Sequence, residues 1–184
     1  MILDKVSNKE YAYDLHSLLL TKRIIFISGE INDQLANIVI GELLYLDSEA
    51  TSDIYIYINS PGGSVTSGLA IYDTMNYIKS NVNTIGMGLC ASMGAFLLSS
   101  GSRRFALPNC EIMIHEPLGG ASGQASDIKI VSDQILKVKK QINKILAKNT
   151  KKSIQRIEKD TLKDFYMTAQ EALDYGIIDE IIKK

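Results

Sequence analysis

Apolar positions along this chain recur in two rhythms, one near three and a half residues and one of two. From Tyr11 to Leu20, Leu15, Leu18 and Leu19 share a face, which predicts a short helix. The run Arg23-Ile24-Ile25-Phe26-Ile27 predicts a buried strand stopped near Gly29. Asn32 stands as an N-cap before a helix through Leu35, Val39, Leu43 and Leu46. From Asp53 to Asn59 tyrosines alternate with isoleucines, so this strand should carry Tyr55 and Tyr57 on the face opposite the isoleucines. A turn at Ser60-Pro61-Gly62-Gly63 leads into a helix from about Val65 to Lys79, a strand from Val82 to Gly88 and a helix from Ser92 to Ser99. Strand alternating with helix predicts an α/β domain with parallel strands.

Past the apolar strand Glu111-Ile112-Met113-Ile114 the rhythm lengthens. Ile128, Val131, Ile135, Val138, Ile142 and Ile145 recur at spacings of three and four within a helix from Asp127 to Asn149. So long a stripe fits either a core helix of this chain or a contact with a neighbouring subunit. Thr168-Ala169-Gln170-Glu171 is a capping box opening a last helix, which Gly176 ends before a strand from Ile177 to Ile182. Residues 1 to about 9 show no periodicity and are expected to be mobile or held only by partners.

Composition narrows the function. The 184 residues, 46% hydrophobic and 22% charged, suit one globular core. A net charge of −1 without a basic stripe argues against a nucleic-acid partner. No apolar run is long enough to span a bilayer, and Met1-Ile2-Leu3-Asp4-Lys5 does not read as a signal peptide, so a cytoplasmic location is expected. Cys90 and Cys110 are expected to be reduced thiols. With only two histidines beside them they fit no metal spacing, and no cofactor is expected. The chain has no P-loop sequence and should not hydrolyse ATP itself; Gly62-Gly63 lacks the spacing of a dinucleotide fingerprint.

Two histidines are the candidate general bases near neutral pH. His16 lies in the first amphipathic helix and reads as a surface or packing residue. His115 ends an apolar strand ahead of Pro117 and the glycine-rich Gly119-Gly120-Ala121-Ser122-Gly123, a position where α/β folds place functional groups. Ser92, between Ala91 and Met93-Gly94, follows a strand and opens a helix; such a turn can expose Oγ beside helix N–H groups. A serine serving only as N-cap, a structural histidine and a plain Pro-Gly-Gly turn explain the same spacing equally well.

Three stretches, Asn59-Ser60-Pro61-Gly62-Gly63-Ser64, Ala91-Ser92-Met93-Gly94-Ala95-Phe96-Leu97-Leu98 and Met113-Ile114-His115-Glu116-Pro117-Leu118-Gly119-Gly120, together resemble the proteolytic subunits of Clp proteases, in order from about Tyr11 to Ile182. The resemblance implies a crotonase-like spiral of ββα units with a protruding handle helix at about 127–149. It divides the chain into an N-terminal axial segment, 1–10, and one peptidase domain, 11–184. It implies a serine endopeptidase in which Ser92 attacks, His115 is the base and Asp164 orients it, with Asp160 as the fallback acid. The N–H groups of Gly63 and Met93 would form the oxyanion hole. Two stacked heptameric rings would enclose unfolded polypeptide delivered by a separate AAA+ unfoldase, whose loops would dock at Tyr55, Tyr57, Tyr77 and Phe105.

The sequence departs from the family's pattern in places. Glu116 replaces a frequent glutamine, the segment before Tyr11 lacks a usual proline, and Leu162-Lys163 replaces an acidic–arginine pair that joins rings. The last change implies weaker double rings or a paralogous partner. A silent ring subunit and an acyl-CoA enzyme of the same spiral fold are the alternatives.

Overall fold

The computed structural model describes residues 2–6 and 9–183, with side chains from Asp14 onward. The chain begins with an antiparallel hairpin of β1 (Ile2–Val6) and β2 (Lys9–Tyr13), then α1 (Leu15–Thr21), β3 (Ile24–Ser28), α2 (Asp33–Glu49), β4 (Ile54–Ser60) and α3 (Val65–Tyr77). Next come β5 (Val82–Ala91), α4 (Met93–Leu98), β6 (Arg104–Ala106), β7 (Glu111–Ile114) and α5 (Ala125–Thr150). The chain closes with α6 (Ile154–Asp160), β8 (Phe165–Thr168), α7 (Ala169–Tyr175) and β9 (Glu180–Ile181).

The N-terminal segment holds a hairpin that the periodicity of the sequence does not predict. Ile2–Val6 and Lys9–Tyr13 are regular strands, although Met1, Ser7 and Asn8 lie outside the described residues. Register aligns Ile2 with Tyr13 and Asp4 with Tyr11, and β-branched and aromatic residues favour an extended chain. The first helix therefore starts at Leu15 rather than Tyr11, where the Asp14 carboxylate caps it by accepting from the Ser17 N–H at 3.0 Å.

The main sheet runs β3-β4-β5-β6-β9, all parallel. β5 divides its pairing: Thr84–Gly86 pair with β6 and Leu89–Ala91 with β7. The division falls at Gly88, with φ 61°, where an added Cβ would lie 2.8 Å from Asn59 Oδ1. Isoleucines 54, 56 and 58 are buried under α2 and α3, while Tyr55 and Tyr57 face outward, as the alternation predicts. The strand expected over 177–182 is only Glu180–Ile181, because Ile177 and Ile178 are spent in the core as buried residues following the Gly176 cap.

The two halves of α5 differ in burial. Ile142 and Leu146 in its C-terminal half are buried in the core, while Ile128, Ile130, Val131 and Leu136 toward its start are exposed. Its apolar stripe is thus buried in the core at one end, while Ile128, Val131 and Ile135 at the other end border a cleft shared with the segment Glu116 to Ala121 and stay partly exposed.

Candidate active site

Ser92 joins β5 to α4 at φ 55° and ψ −120°, a conformation that a non-glycine residue holds at a cost of about 1–3 kcal/mol. Its side chain makes no capping bond to α4, so the N-cap alternative does not describe it. The backbone is pinned instead: Ser92 N–H donates to Met113 O at 2.8 Å, and its carbonyl accepts from Phe96 N–H at 3.0 Å. Close neighbours explain the small residues around it. A Cβ at Gly62 would stand 2.6 Å from Ser92 Cβ, and one at Gly94 would stand 2.9 Å from Ser60 O. The turn is possible because those side chains are missing.

His115 follows β7, and β7 pairs antiparallel with β8 in the register Ile114↔Phe165. That register sets the residue after Ile114 opposite the residue before Phe165, which are His115 and Asp164. Nδ1 of His115 lies 3.0 Å from Asp164 Oδ1, and Nε2 lies 2.9 Å from Ser92 Oγ. Asp160 is engaged elsewhere: its Oδ2 accepts from Arg156 Nε at 2.5 Å and from Tyr175 Oη at 2.8 Å. Burial first, then the bond to Asp160, raises the Tyr175 phenol above its usual range. Of the two aspartates, only Asp164 reaches the imidazole.

The Gly62-Gly63 turn is locked against Ile31, whose N–H donates to Gly62 O at 2.8 Å and whose carbonyl accepts from Ser64 N–H at 2.7 Å. A Cβ on Gly63 would meet Ile31 O at 2.2 Å, and one on Gly62 would lie 3.0 Å from Met93 N. Gly62 is therefore seated on the first residue of α4, while Gly63 lies against Ile31. An apolar pocket opens beside Ser92 and His115, walled by Val65, Phe96, Ile114, Pro117, Ile142 and Leu146. Hydroxyl, imidazole and carboxylate in series can pass a proton from Oγ to Nε2 while the carboxylate holds the ring.

The expected docking residues differ in exposure. Phe26, Tyr57, Ile85 and Phe105 stand in one register row across four strands. Tyr57 stacks on Phe26 with ring centroids 5.6 Å apart. Tyr55 is exposed and Tyr77, ending α3, is 82% exposed, whereas Phe105 is only 9% exposed beneath the Arg103 guanidinium. His16 packs edge-on against Phe26. Cys90 and Cys110 are buried free thiols with sulfurs 3.9 Å apart; contact with Cys110 and burial raise the Cys90 thiol above its ordinary range. Among the described residues, no group of three or more His, Cys, Asp or Glu could hold a metal ion, and no helix is long and apolar enough to cross a membrane.

Three features of the site were not anticipated from the sequence: the strained φ of Ser92, the walls of the apolar pocket, and a bond between Glu116 and Lys139. The pocket had a signal, since Ile142 lies in the stripe of α5. The bond had none, because the two residues are 23 positions apart. Among models of known protein families, the one described as Clp protease matches residues 7–184.

Proposed function

The chain belongs to the Clp protease family, and we propose that it is a serine endopeptidase subunit in which Ser92 is the nucleophile. In this reading His115 takes the Oγ proton as Ser92 adds to a peptide carbonyl, then returns it to the leaving amine. Asp164 holds the imidazole and offsets its charge. The Gly63 and Met93 amides receive the oxyanion, and the side chain preceding the scissile bond packs against the apolar residues beside Ser92. Water repeats the sequence to release the acyl group, with the same base. The observation that carries the reading is the 2.9 Å contact between Ser92 Oγ and His115 Nε2.

The wider reading follows the family. The domain, residues 11–184, adopts a crotonase-like spiral, and the exposed half of α5 is the handle that meets a second heptameric ring. The N-terminal segment, residues 1–10, lies at the axial entrance. An AAA+ unfoldase in the cytoplasm feeds unfolded polypeptide to the chamber, docking at Tyr55, Tyr57, Tyr77 and Phe105. The exposed apolar residues Ile130 and Leu136 support the handle, and the outward tyrosine row supports the docking face. Leu162 and Lys163, both exposed, stand where the family has an acidic–arginine pair that joins rings, and the loss of that pair favours weak double rings. The test is degradation of an unfolded polypeptide by wild type and by Ser92→Ala. Loss of all cleavage in the variant is expected, and cleavage at the wild-type rate would overturn the reading.

A further inference from the structure

His115 opens a stretch without regular structure, running to Gly123, that includes three glycines and the almost fully exposed Leu118. A catalytic base at the root of such a segment has to be held from outside it. Two contacts of Glu116 do this. Its backbone N–H donates to Thr161 O at 2.8 Å, tying the segment to the loop that carries Asp164. Its carboxylate forms an ion pair with Lys139 Nζ on α5.

The pair is half-buried, with the side chains 37% and 25% exposed, so solvent and salt screen it less than a freely solvated surface pair. Lys163 and Asp164 border the same cleft as Glu116 and His115, yet Asp164 faces the imidazole and the Glu116 carboxylate turns to Lys139. Three and seven residues beyond Lys139, Ile142 and Leu146 form the wall of the apolar pocket beside Ser92. One face of α5 therefore grips the histidine segment with Lys139 and shapes the substrate pocket with Ile142 and Leu146.

We propose that the Glu116–Lys139 pair is a positioning device that fixes His115 and the α5 wall of the pocket relative to each other. Glu116 and Lys139 act through His115 and touch no reacting atom. The inference rests on the reading of Ser92 and His115 given above. Losing a positioning contact slows the chemical step more than it weakens substrate binding, because small displacements of the base cost rate steeply.

The test measures kcat, KM and the rate of Ser92 modification by a fluorophosphonate for wild type, Glu116→Gln, Lys139→Met and the exchange Glu116→Lys/Lys139→Glu. Each single variant should lose about tenfold in kcat and in modification rate, with KM changed less than about twofold and melting temperature nearly unchanged. The exchange should recover most of the loss, which a requirement for either residue alone would not produce, while a merely structural role would lower the melting temperature of the single variants instead of their kcat. Single variants at the wild-type rate, or an exchange no better than the singles, would overturn the proposal. A wild-type protein whose Ser92 is not modified at all would instead remove the reading of function, and this inference with it.

Discussion

Gly62 lies directly against Ser92: a Cβ built on the glycine would stand 2.6 Å from the serine Cβ and 2.9 Å from Ala91 O. The Pro-Gly-Gly turn and the serine turn are thus packed backbone to backbone. Each keeps the other in a conformation with positive φ, 97° at Gly62 and 55° at Ser92.

Gly62→Ala should therefore harm the site more than the fold. The added methyl meets backbone, which cannot swing aside, and alanine at this φ costs about 1 kcal/mol or more beside the overlap. The expected outcome is a folded protein whose Ser92 reacts with a fluorophosphonate at least about a hundredfold more slowly. Circular dichroism and the rate of adduct formation check it, and a wild-type rate would contradict it.

Asp164 and Asp160 should separate cleanly. Asp164→Asn removes the carboxylate from His115 Nδ1 and should lower kcat by about three to four powers of ten, the loss seen when the acid of such a triad is made neutral. Asp160→Asn leaves the imidazole untouched but weakens the bonds from Arg156 and Tyr175, and should cost about 1–3 kcal/mol of stability with kcat within twofold. Parallel peptidase assays and thermal melts of the two variants distinguish these outcomes; the reverse assignment would follow if Asp160→Asn were the inactive one.

Much of this geometry was legible in the residues, and the reasons differ by element. The alternation in β4 fixes the outward tyrosines because a strand has only two faces, and Asn32, Thr168 and Gly176 cap their helices by local chemistry. The N-terminal hairpin was missed because its pattern is short and its partner strand adjacent, so neither rhythm develops over Ile2–Tyr13. β6 and β8, of three and four residues, were missed because strands that short depend on their neighbours rather than on their own sequence. The site shows the same division. Ser92 and His115 could be proposed from their positions at element ends, but choosing Asp164 over Asp160 physically requires the β7–β8 register. The Glu116–Lys139 pair is purely tertiary.

Tyr57 anchors the outward row, stacked on Phe26 and level with Phe105. If an unfoldase loop docks there, Tyr57→Ala removes an aromatic anchor of the kind that costs about 2 kcal/mol or more at an interface. The affinity for the ATP-bound unfoldase should fall at least tenfold by fluorescence anisotropy. An unchanged dissociation constant would move the docking site elsewhere.

Asp179 should govern part of the acid stability. Its carboxylate bonds the Arg104 side chain and backbone, which holds it below the usual carboxylate range. Arg104 in turn donates to Asn149 O and Gly176 O, so the pair ties β6 to the ends of α5 and α7. Because the folded value is depressed, the stabilisation is present above the unfolded carboxylate value and is lost as pH falls through the folded one. Asp179 is 44% exposed, so solvent screening limits the effect to about 1–2 kcal/mol. Asp179→Asn should melt a few degrees below wild type at pH 7. The gap should narrow as pH falls below the usual carboxylate range of about 4, and a gap that did not narrow in acid would contradict the assignment.

The central claim is that Ser92, strained at the head of α4 and 2.9 Å from His115 Nε2, is the nucleophile. The direct measurement is mass spectrometry of the protein treated with a fluorophosphonate, with the modified peptide sequenced. The account predicts a single adduct, on Ser92, which disappears in Ser92→Ala and forms at least a thousandfold more slowly in His115→Ala, since members of such a triad act as a unit. An adduct on another residue, or one that persists in Ser92→Ala, would contradict it.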